Sequence, residues 1–187
     1  MSATATQGNK ALACHCAVKC ADYGAQRTAH FSSPAPRYRY SLEICWSSGG
    51  LPLHALLLNP STATHLRDDP TVKRMVRRAE RAGYGALIVT NLFALRSTDP
   101  FALARADDPV GPENDAHILH AARRAVHTLC GWGDHGTLGG RSAHVYNLLR
   151  AANTSLLHLG LNKSGEPRHP LYISYAIEPA YWIEADL

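Results

Sequence analysis

The sequence has no run of eighteen apolar residues, and it begins with neither a basic stretch nor the apolar core of a signal peptide. We therefore expect no membrane span and no secretory signal, and we expect the protein to be cytoplasmic. Charge is also scarce, because only 18% of the 187 residues are charged and 19 basic residues stand against 15 acidic ones, a net charge of +4. This small basic excess permits an anionic partner but does not require one.

Signatures of several other protein classes are missing as well. The sequence contains no glycine-rich phosphate loop, no serine nucleophile elbow and no internal repeat. Its five cysteines are an odd number, and three of them fall within the first twenty residues, which is unlike a secreted disulfide framework. The spacing of Cys14, Cys16, Cys20 and the distant Cys45 matches no common zinc motif. We therefore predict no metal and no cofactor, and the role of these cysteines stays open.

Hydrophobic residues make up 45% of the sequence, which is enough to form the core of one folded domain. Residues 1–30 show no sustained apolar period of either two or about 3.6 residues, so we predict a flexible, cysteine-containing tail there. We assign residues 31–187 to a single domain, because the apolar content is enough for one core.

Strand and helix signals alternate along this domain. The stretch 38–46 alternates between apolar and polar residues, as in a half-buried antiparallel strand, and we expect it to form a hairpin with the apolar run 51–58. Further strands are expected at 86–93, 128–132 and 155–159, and helices after Asp69, after Gly111 and over 142–152. This order predicts a three-layer α/β/α sandwich whose central four-stranded sheet is mostly parallel, with an N-terminal antiparallel hairpin strand beside it.

The first predicted helix has the clearest boundaries. Asp69 is suited to cap its start, Pro70 fits the first helical position, and Gly83 can end it. Its apolar face consists of Val72, Met75, Val76 and Ala79. Its basic face consists of Lys73, Arg74, Arg77, Arg78 and Arg81. This basic face is either an ordinary solvated surface or a contact for the phosphates of a nucleic acid.

Polar or aromatic segments follow the later predicted strands, at 59–61, 91–96, 132–135 and 168–170. Ligands of parallel α/β sheets bind beyond the carboxyl ends of the strands, so we expect these segments to form a site. Each segment also has a purely structural explanation. Asn59 before a proline can start a turn and Asn91 can brace the interior. Trp132 can belong to the core, and His169 can bond to its own loop.

These segments carry motifs that resemble those of the uracil-DNA glycosylase superfamily in order and spacing. The motifs are Leu58-Asn-Pro-Ser61, the strand end at Asn91, Trp132-Gly-Asp-His135 and His169-Pro170, and the similarity covers residues 50–175 or thereabouts. The chain from Tyr38 onward also resembles a bacterial family known as domain of unknown function 1643. That similarity rests on Leu58-Asn-Pro-Ser-Thr-Ala63, Asp69-Pro-Thr71, Asn91-Leu-Phe93, Asp108-Pro-Val-Gly-Pro-Glu-Asn114 and His169-Pro-Leu-Tyr172.

The glycosylase resemblance implies a role for several residues. The Asn59 loop would hold the attacking water, Asn91 would read the edge of an extruded base, and His169 would stabilise charge on the departing base. Many members have aspartate at the position of Asn59. Because an amide cannot take a proton from water, catalysis would be slower or would use Asp68 or Asp69. Further binding residues are predicted to be Pro60, Ser61, Phe93, Arg96, Trp132, Gly133, Arg168 and Tyr172.

We therefore predict a hydrolase that acts on the N-glycosidic bond of a damaged or modified base in nucleic acid, with DNA favoured over RNA as the partner. Leu171 and Tyr172 would then be either a wedge that enters the duplex or a strand packed on the core. Two alternatives stay open, namely a catalytically silent module that binds a nucleobase or nucleotide, and a hydrolase of free nucleosides. We make no prediction of the oligomeric state.

Overall fold

The computed structural model describes residues 15–19, 25–32, 35–64, 66–99 and 101–182. Within these ranges eight strands form one sheet: β1 (His15–Lys19), β2 (Gln26–Phe31), β3 (Arg39–Cys45), β4 (Pro52–Leu57), β5 (Ala86–Asn91), β6 (His127–Gly131), β7 (Leu156–His158) and β8 (Ala180–Tyr181). The α-helices are α1 (Pro70–Arg81), α2 (Ala102–Arg105), α3 (Asn114–Arg124) and α4 (Arg141–Ala151), and 3-10 helices lie at Asp134–Gly140 and Pro170–Tyr172. None of the helices in these ranges has both the length and the apolar character that crossing a lipid bilayer requires.

The sheet has the strand order β1-β2-β3-β5-β4-β6-β7-β8. The four central strands, β5, β4, β6 and β7, run parallel to one another. The outer strands pair antiparallel with their neighbours. A mixed α/β fold with a parallel centre is therefore confirmed, whereas the sheet of the described residues is larger than the predicted four strands.

The predicted hairpin between 38–46 and 51–58 is wrong. Strand β3 pairs antiparallel with β5, which lies between β3 and β4. The turn that follows β3 passes around the start of β5, where a Cβ atom on Gly50 would lie 2.5 Å from the Cα atom of Gly85. Only a residue without a side chain allows the two backbones to approach so closely. What the sequence presents as a hairpin turn is therefore a crossing over the neighbouring strand.

The predicted tail is also wrong in part, because β1 and β2 add two strands to the sheet. Strand β2 pairs with β3 and completes an edge that would otherwise be unpaired. Ala25 and Ala29 are buried and belong to the core. Residues 1–14 and 20–24, which include Cys14 and Cys20, lie outside the described residues.

Helices cover both faces of the sheet. On one face, Val72, Met75 and Ala79 of α1 pack into a buried cluster with side chains of β3, β4 and β5. On the other face, Ile118 of α3 and Leu149 of α4 belong to a second buried cluster, which includes side chains of β4, β6 and β7. Both faces of the central strands are thus covered, as expected for parallel strands with continuous apolar sequences.

Candidate functional site

A cavity of about 290 Å³ lies at the carboxyl ends of β4, β5 and β6. The chain leaves β4 to form β5 on one side of it and later forms β6 on the other side. This reversal of direction opens a crevice between the ends of β4 and β6, where α/β sheets commonly bind ligands. The cavity is lined by Arg39, Leu57, Leu58, Asn59, Ser61, Asp69, Thr71, Val72, Asn91, Ser97, Thr98, Trp132, Gly133, His135 and His169.

Asn59 lies two residues beyond β4 on the wall of the cavity. Its Nδ2 group donates to the carbonyl oxygen of Ser97 at 2.8 Å and to the carbonyl oxygen of Pro60 at 3.3 Å. Both amide hydrogens are therefore bound to the backbone. The oxygen Oδ1 is the end of the amide that is left for a ligand, so Asn59 can accept a hydrogen bond from a water molecule.

Two acidic residues precede α1, and the structure separates them. Asp68 forms an ion pair with Arg27 of β2 and does not line the cavity. Asp69 lines the cavity and caps α1, because its Oδ1 atom accepts a hydrogen bond from the N–H of Val72 at 2.8 Å. The capping bond holds the carboxylate in place. Asp69 is therefore the acidic residue that a reaction in this cavity can use.

Asn91, the last residue of β5, is held by a buried arginine. The Nη2 atom of Arg39 donates to Oδ1 of Asn91 at 3.1 Å, and Nη1 donates to the carbonyl oxygen of Ala63 at 2.8 Å. The Arg39 residue is 2% exposed, and none of the ion pairs among the described residues includes it. Burial lowers the pKa of Arg39 to about 10, although the negative charge of Asp69 opposes this shift.

The backbone at the end of β5 is braced from the helical side. Asn114, a fully buried residue of α3, donates from Nδ2 to the carbonyl oxygens of Asn91 at 3.0 Å and Leu92 at 2.8 Å. Arg141 of α4 donates from Nε to the same Leu92 carbonyl at 2.8 Å. These bonds hold the carbonyl groups at the end of β5, and they fix the position from which the Asn91 side chain enters the cavity.

His169 belongs to a segment that is fastened to the sheet and to α1. A Cβ atom on Gly131, the last residue of β6, would lie 2.9 Å from Cδ of Pro170, so the segment packs directly on the strand end. From the other side, Arg74 of α1 donates from Nε to the carbonyl oxygen of Pro170 at 3.1 Å. These two contacts place the His169 ring at the cavity wall.

The hydrogen bonding of the His169 ring defines which nitrogen is free. Its Nδ1 atom accepts a hydrogen bond from the N–H of Leu171 at 3.4 Å, so the proton of the neutral ring is on Nε2. Burial lowers the pKa of His169, and the negative charge of Asp69 opposes the shift. The ring is therefore neutral at pH 7 and offers one N–H donor.

Trp132 is a core residue and a cavity residue at the same time. It is buried among the second core cluster, and its ring lies 5.6 Å from that of Trp182. Its Nε1 atom donates to Glu166, and its remaining surface lines the cavity. The following residue, Gly133, has a positive φ of 71° and turns the chain away from the sheet. Trp132 thus belongs to the core and also lines the cavity.

Seven of the twelve predicted site residues line the cavity: Asn59, Ser61, Asp69, Asn91, Trp132, Gly133 and His169. The other five do not. Pro60 and Phe93 are buried beside the cavity residues in the sequence. Arg96 and Arg168 each donate to a backbone carbonyl of another segment. Tyr172 is 90% exposed, so its side chain is not packed on the core.

The basic face of α1 is mostly occupied by the protein itself. Arg74 and Arg78 donate to backbone carbonyls within the segment 170–177. The guanidinium groups of Arg74 and Arg81 lie 4.4 Å and 4.5 Å from the ring centroid of Tyr175. Three of the five basic side chains on α1 thus hold the segment that carries His169. Lys73 and Arg77 are exposed and stay available to an anionic partner.

Sequence reasoning missed several cavity residues: Arg39, Thr71, Ser97 and Thr98. Arg39 occupies a polar position of the alternating strand 38–46, a pattern that places such residues in solvent. Its burial depends on the Ala63 carbonyl and the Asn91 amide, which are distant in the sequence. Ser97 is in a loop and enters the site through its contact with Asn59. Neither Arg39 nor Ser97 has a local sequence pattern that indicates a position in the cavity.

Within the described ranges, no group of three or more histidine, cysteine, aspartate or glutamate residues is arranged to hold a metal ion. Of the cysteines singled out from the sequence, Cys45 is a free thiol, and Cys14 and Cys20 lie outside the described residues. Cys130 is also free, and burial raises the pKa of its thiol. The amide and ionisable side chains that line the cavity are those of Arg39, Asn59, Asp69, Asn91, His135 and His169.

A protein-family model described as protein of unknown function (DUF1643) matches residues 39–171. The matched range begins at Arg39 and includes every residue that lines the cavity. No curated protein and no solved structure matches the chain.

Proposed function

We propose that this chain, which belongs to the DUF1643 family of proteins of unknown function, hydrolyses the N-glycosidic bond of a damaged or modified base in nucleic acid. The observation that carries the proposal is that Asn59, Asn91 and His169 line one cavity. They come from three distant segments, and they supply a water acceptor, an amide for the base and an N–H donor for the leaving group. The resemblance of the four strand-end motifs to the uracil-DNA glycosylase superfamily is part of this proposal.

The size and lining of the cavity favour a single base as its occupant. Its volume of about 290 Å³ is at the lower end of the range of roughly 300–1,000 Å³ that is typical of small-molecule sites. Apolar walls from Leu57, Leu58 and Trp132 stand beside the polar groups, which suits a planar heterocycle. A base in a duplex would have to leave the stack before it could enter.

Asn91 would select the edge of the base. Because Arg39 binds the Oδ1 atom of Asn91, the Nδ2 group is the end of the amide that a ligand meets. An N–H donor in this position favours a base that presents a carbonyl oxygen rather than an amino group. A mismatched polar group would leave buried partners unpaired, which is the strongest source of discrimination in such sites.

Asn59 and Asp69 would act on the attacking water. The Oδ1 atom of Asn59 accepts one hydrogen of the water, and its amide hydrogens are held by backbone carbonyls, so the group is already oriented. Asp69 supplies the carboxylate that takes the proton, which an amide cannot do. Asp69 would thus supply the carboxylate that Asn59 lacks.

The proposed reaction balances without any cofactor. The bond between the sugar C1′ atom and the base nitrogen breaks, and its electron pair goes to the nitrogen. The water oxygen bonds to C1′, one water proton passes to Asp69 and then to solvent, and the base takes up a proton from solvent. The Nε2–H group of His169 donates to the base while negative charge develops on it.

Exposed basic residues beside the site support nucleic acid as the polymer. Arg67 and Arg168 are exposed; Arg67 lies two residues before Asp69, and Arg168 directly precedes His169. Contacts of this kind with phosphates would make affinity fall with rising salt, whereas binding of a free nucleoside would depend little on salt. DNA remains the favoured polymer in this proposal, and an RNA strand of the same sequence is the comparison.

The proposal is tested with labelled single- and double-stranded oligonucleotides that carry uracil, hypoxanthine or other altered bases. The expected result is an abasic product from at least one of them, with a rate that falls by about 100-fold or more in Asn59→Ala and Asn91→Ala. Asn147→Ala is the matched control, because Asn147 is exposed on α4 and does not line the cavity. Absence of an abasic product from every substrate would contradict the proposal.

A catalytically silent module that binds a nucleobase or nucleotide is the second candidate. It is favoured by Asn59, whose amide hydrogens are bound to backbone carbonyls and whose oxygen cannot deprotonate water. Such a module would be stabilised by free nucleobases or nucleosides in a thermal-shift measurement and would release no product. Asn59→Ala would then weaken binding, and no rate would be affected.

A further inference from the structure

Arg39 carries a positive charge into the interior without an acidic partner at bonding distance. Two of its nitrogens bind Ala63 and Asn91, while Nε is buried and has no hydrogen-bond partner within the described part of the chain. A buried charge without compensation is strongly destabilising in proteins. A chain that only needed to brace Asn91 would achieve this at lower cost with a neutral side chain.

We infer that Arg39 is a positioning residue for the proposed reaction. It orients Asn91, and its positive charge polarises that amide, which stabilises negative charge on the departing base. The inference rests on the proposed function and adds a second source of leaving-group stabilisation to His169. Arg39 lines the cavity, and its contact with Asn91 is direct. The charge would therefore act at the edge of the base that Asn91 contacts.

The physical basis is the polarisation of a chain of hydrogen bonds. A charged donor on the Oδ1 atom of Asn91 draws electron density from the amide, which makes the Nδ2 hydrogens better donors to the base. The effect is largest in a site that excludes water, and Arg39 and Asn91 are both almost fully buried. The bond strengthens as negative charge accumulates on the base, which is the property that accelerates a reaction.

Two neighbouring charges act on the pKa of Arg39 in opposite directions. Asp69 raises the proton affinity of the guanidinium, and Arg96 lowers it. Asp69 also lines the cavity, where the proposed reaction places the water. The positive group thus acts on the base and the negative group acts on the water and the sugar, which matches the direction of charge separation in the reaction.

The test compares single-turnover cleavage of two matched oligonucleotides, one with uracil and one with fluorouracil, whose base is the better leaving group. Arg39→Met is expected to lose about 100-fold on uracil and clearly less on fluorouracil, because a better leaving group needs less stabilisation. Arg39→Lys retains the charge and is expected to lose less than Arg39→Met on uracil. Equal losses on both substrates would overturn the inference, because a purely structural defect does not depend on the leaving group.

A second measurement uses the unaltered protein, so it tests the inference even when the Arg39 variants do not fold. The affinity for free fluorouracil is titrated from neutral to alkaline pH, across the loss of the ring proton of the base. We expect the affinity to rise with pH, because the anion interacts with the Arg39 charge through Asn91. The other titratable groups facing the cavity are Asp69, His135 and His169, so the titration is repeated with Asp69→Asn.

An affinity that stays constant or falls, or no binding at all, would overturn the inference. Failure of the proposed function has a different signature. If the unaltered protein cleaves no oligonucleotide but binds the fluorouracil anion more tightly than the neutral base, the glycosylase proposal fails. The assignment of Arg39 to the negative charge of the base then stands if the preference for the anion persists in His169→Gln, which lacks the imidazole donor.

Discussion

Gly136 and Trp132 are in such close contact that a Cβ atom on Gly136 would lie 2.7 Å from Nε1 of Trp132. The indole occupies the space that any larger residue at position 136 would need. Gly136 belongs to the 3-10 helix that follows the β6 strand, and Trp132 lines the cavity. The shape of one cavity wall therefore depends on a single backbone position outside the cavity.

Gly136→Ala is expected to displace the Trp132 ring and to weaken binding of any ligand in the cavity. Overpacking of a buried site costs about 1–3 kcal/mol, so the free energy of unfolding falls as well. Tryptophan fluorescence and urea denaturation measure the two effects. Gly139→Ala is the control, because a Cβ atom there meets nothing within 4 Å and the expected cost is limited to its positive φ. Identical fluorescence changes in both variants would contradict the conclusion that Gly136 determines the position of the Trp132 ring.

The strand-end positions of the site could be predicted from the sequence because they follow apolar runs that only buried strands explain. Asn59, Asn91 and Trp132 were placed in this way, and the parallel topology then brings them together. His169 does not follow a strand directly. It reaches the cavity because Gly131 and Arg74 fasten its segment to the sheet and to α1.

The remaining features depend on contacts between distant parts of the chain. Arg39 has the pattern of a solvent-facing strand residue, and its burial follows from partners more than twenty positions away. The close approach of Gly50 to Gly85 marks the point where the chain crosses the start of β5 instead of forming the predicted hairpin. Neither Gly50 nor Gly85 has a local periodicity that distinguishes the two outcomes, which is why the hairpin prediction failed.

Arg78→Met is expected to loosen the segment that carries His169. Arg78 is buried and donates from Nη1 to the carbonyl of Ile177 at 2.8 Å and from Nη2 to that of Ser174 at 2.9 Å. Hydrogen bonds from a charged donor contribute about 1.5–3 kcal/mol, and we expect a loss of this order in the free energy of unfolding. Faster hydrogen exchange confined to residues 170–177 would accompany it.

Arg77→Met provides the comparison for this variant. Arg77 is exposed on the same helix and is expected to change stability by no more than about 0.5 kcal/mol. Comparable exchange rates for 170–177 in the two variants would show that the arginine contacts do not hold the segment. The Arg78 bonds would then be incidental to the position of His169.

A buried histidine in the centre of the sheet is expected to make stability depend on pH. The Nε2 atom of His54 lies 2.8 Å from Oγ1 of Thr90, and Nδ1 lies 3.0 Å from Oγ1 of Thr128. Burial lowers the pKa of His54 to about 3. In the unfolded chain the ring takes up a proton below about pH 6.5, so stability falls with falling pH by up to about 1.4 kcal/mol per unit until about pH 3.

The measurement is the free energy of unfolding at about pH 7 and about pH 4 for the unaltered protein and for His54→Gln. Glutamine does not titrate, so the variant is expected to be less stable at pH 7 but to lose less on acidification. His117, whose pKa burial lowers to about 4, acts in the same direction in both proteins and cancels in the comparison. Parallel pH profiles would show that His54 does not contribute.

Asp69→Asn separates the capping role of Asp69 from its charge. Asparagine keeps the side-chain oxygen that accepts the hydrogen bond from Val72, and it is as good a helix cap as aspartate. We expect the free energy of unfolding to change by no more than about 0.5 kcal/mol. The proposed cleavage is expected to fall by about 100-fold or more, because the carboxylate that takes the proton is gone.

The effect on His169 provides an independent check of the electrostatic arrangement. The negative charge of Asp69 raises the pKa of His169 against the effect of burial, so its removal is expected to lower that pKa further, which a magnetic-resonance titration of the ring measures. Asp69→Ala should show the same titration change and also lose about 1 kcal/mol of stability, because it removes the cap. A His169 pKa that is unchanged or raised in both variants would mean that the Asp69 carboxylate does not stabilise the charged imidazole. If the pKa falls as expected while cleavage persists at the unaltered rate, Asp69 is not the base, and the water would be oriented by Asn59 alone.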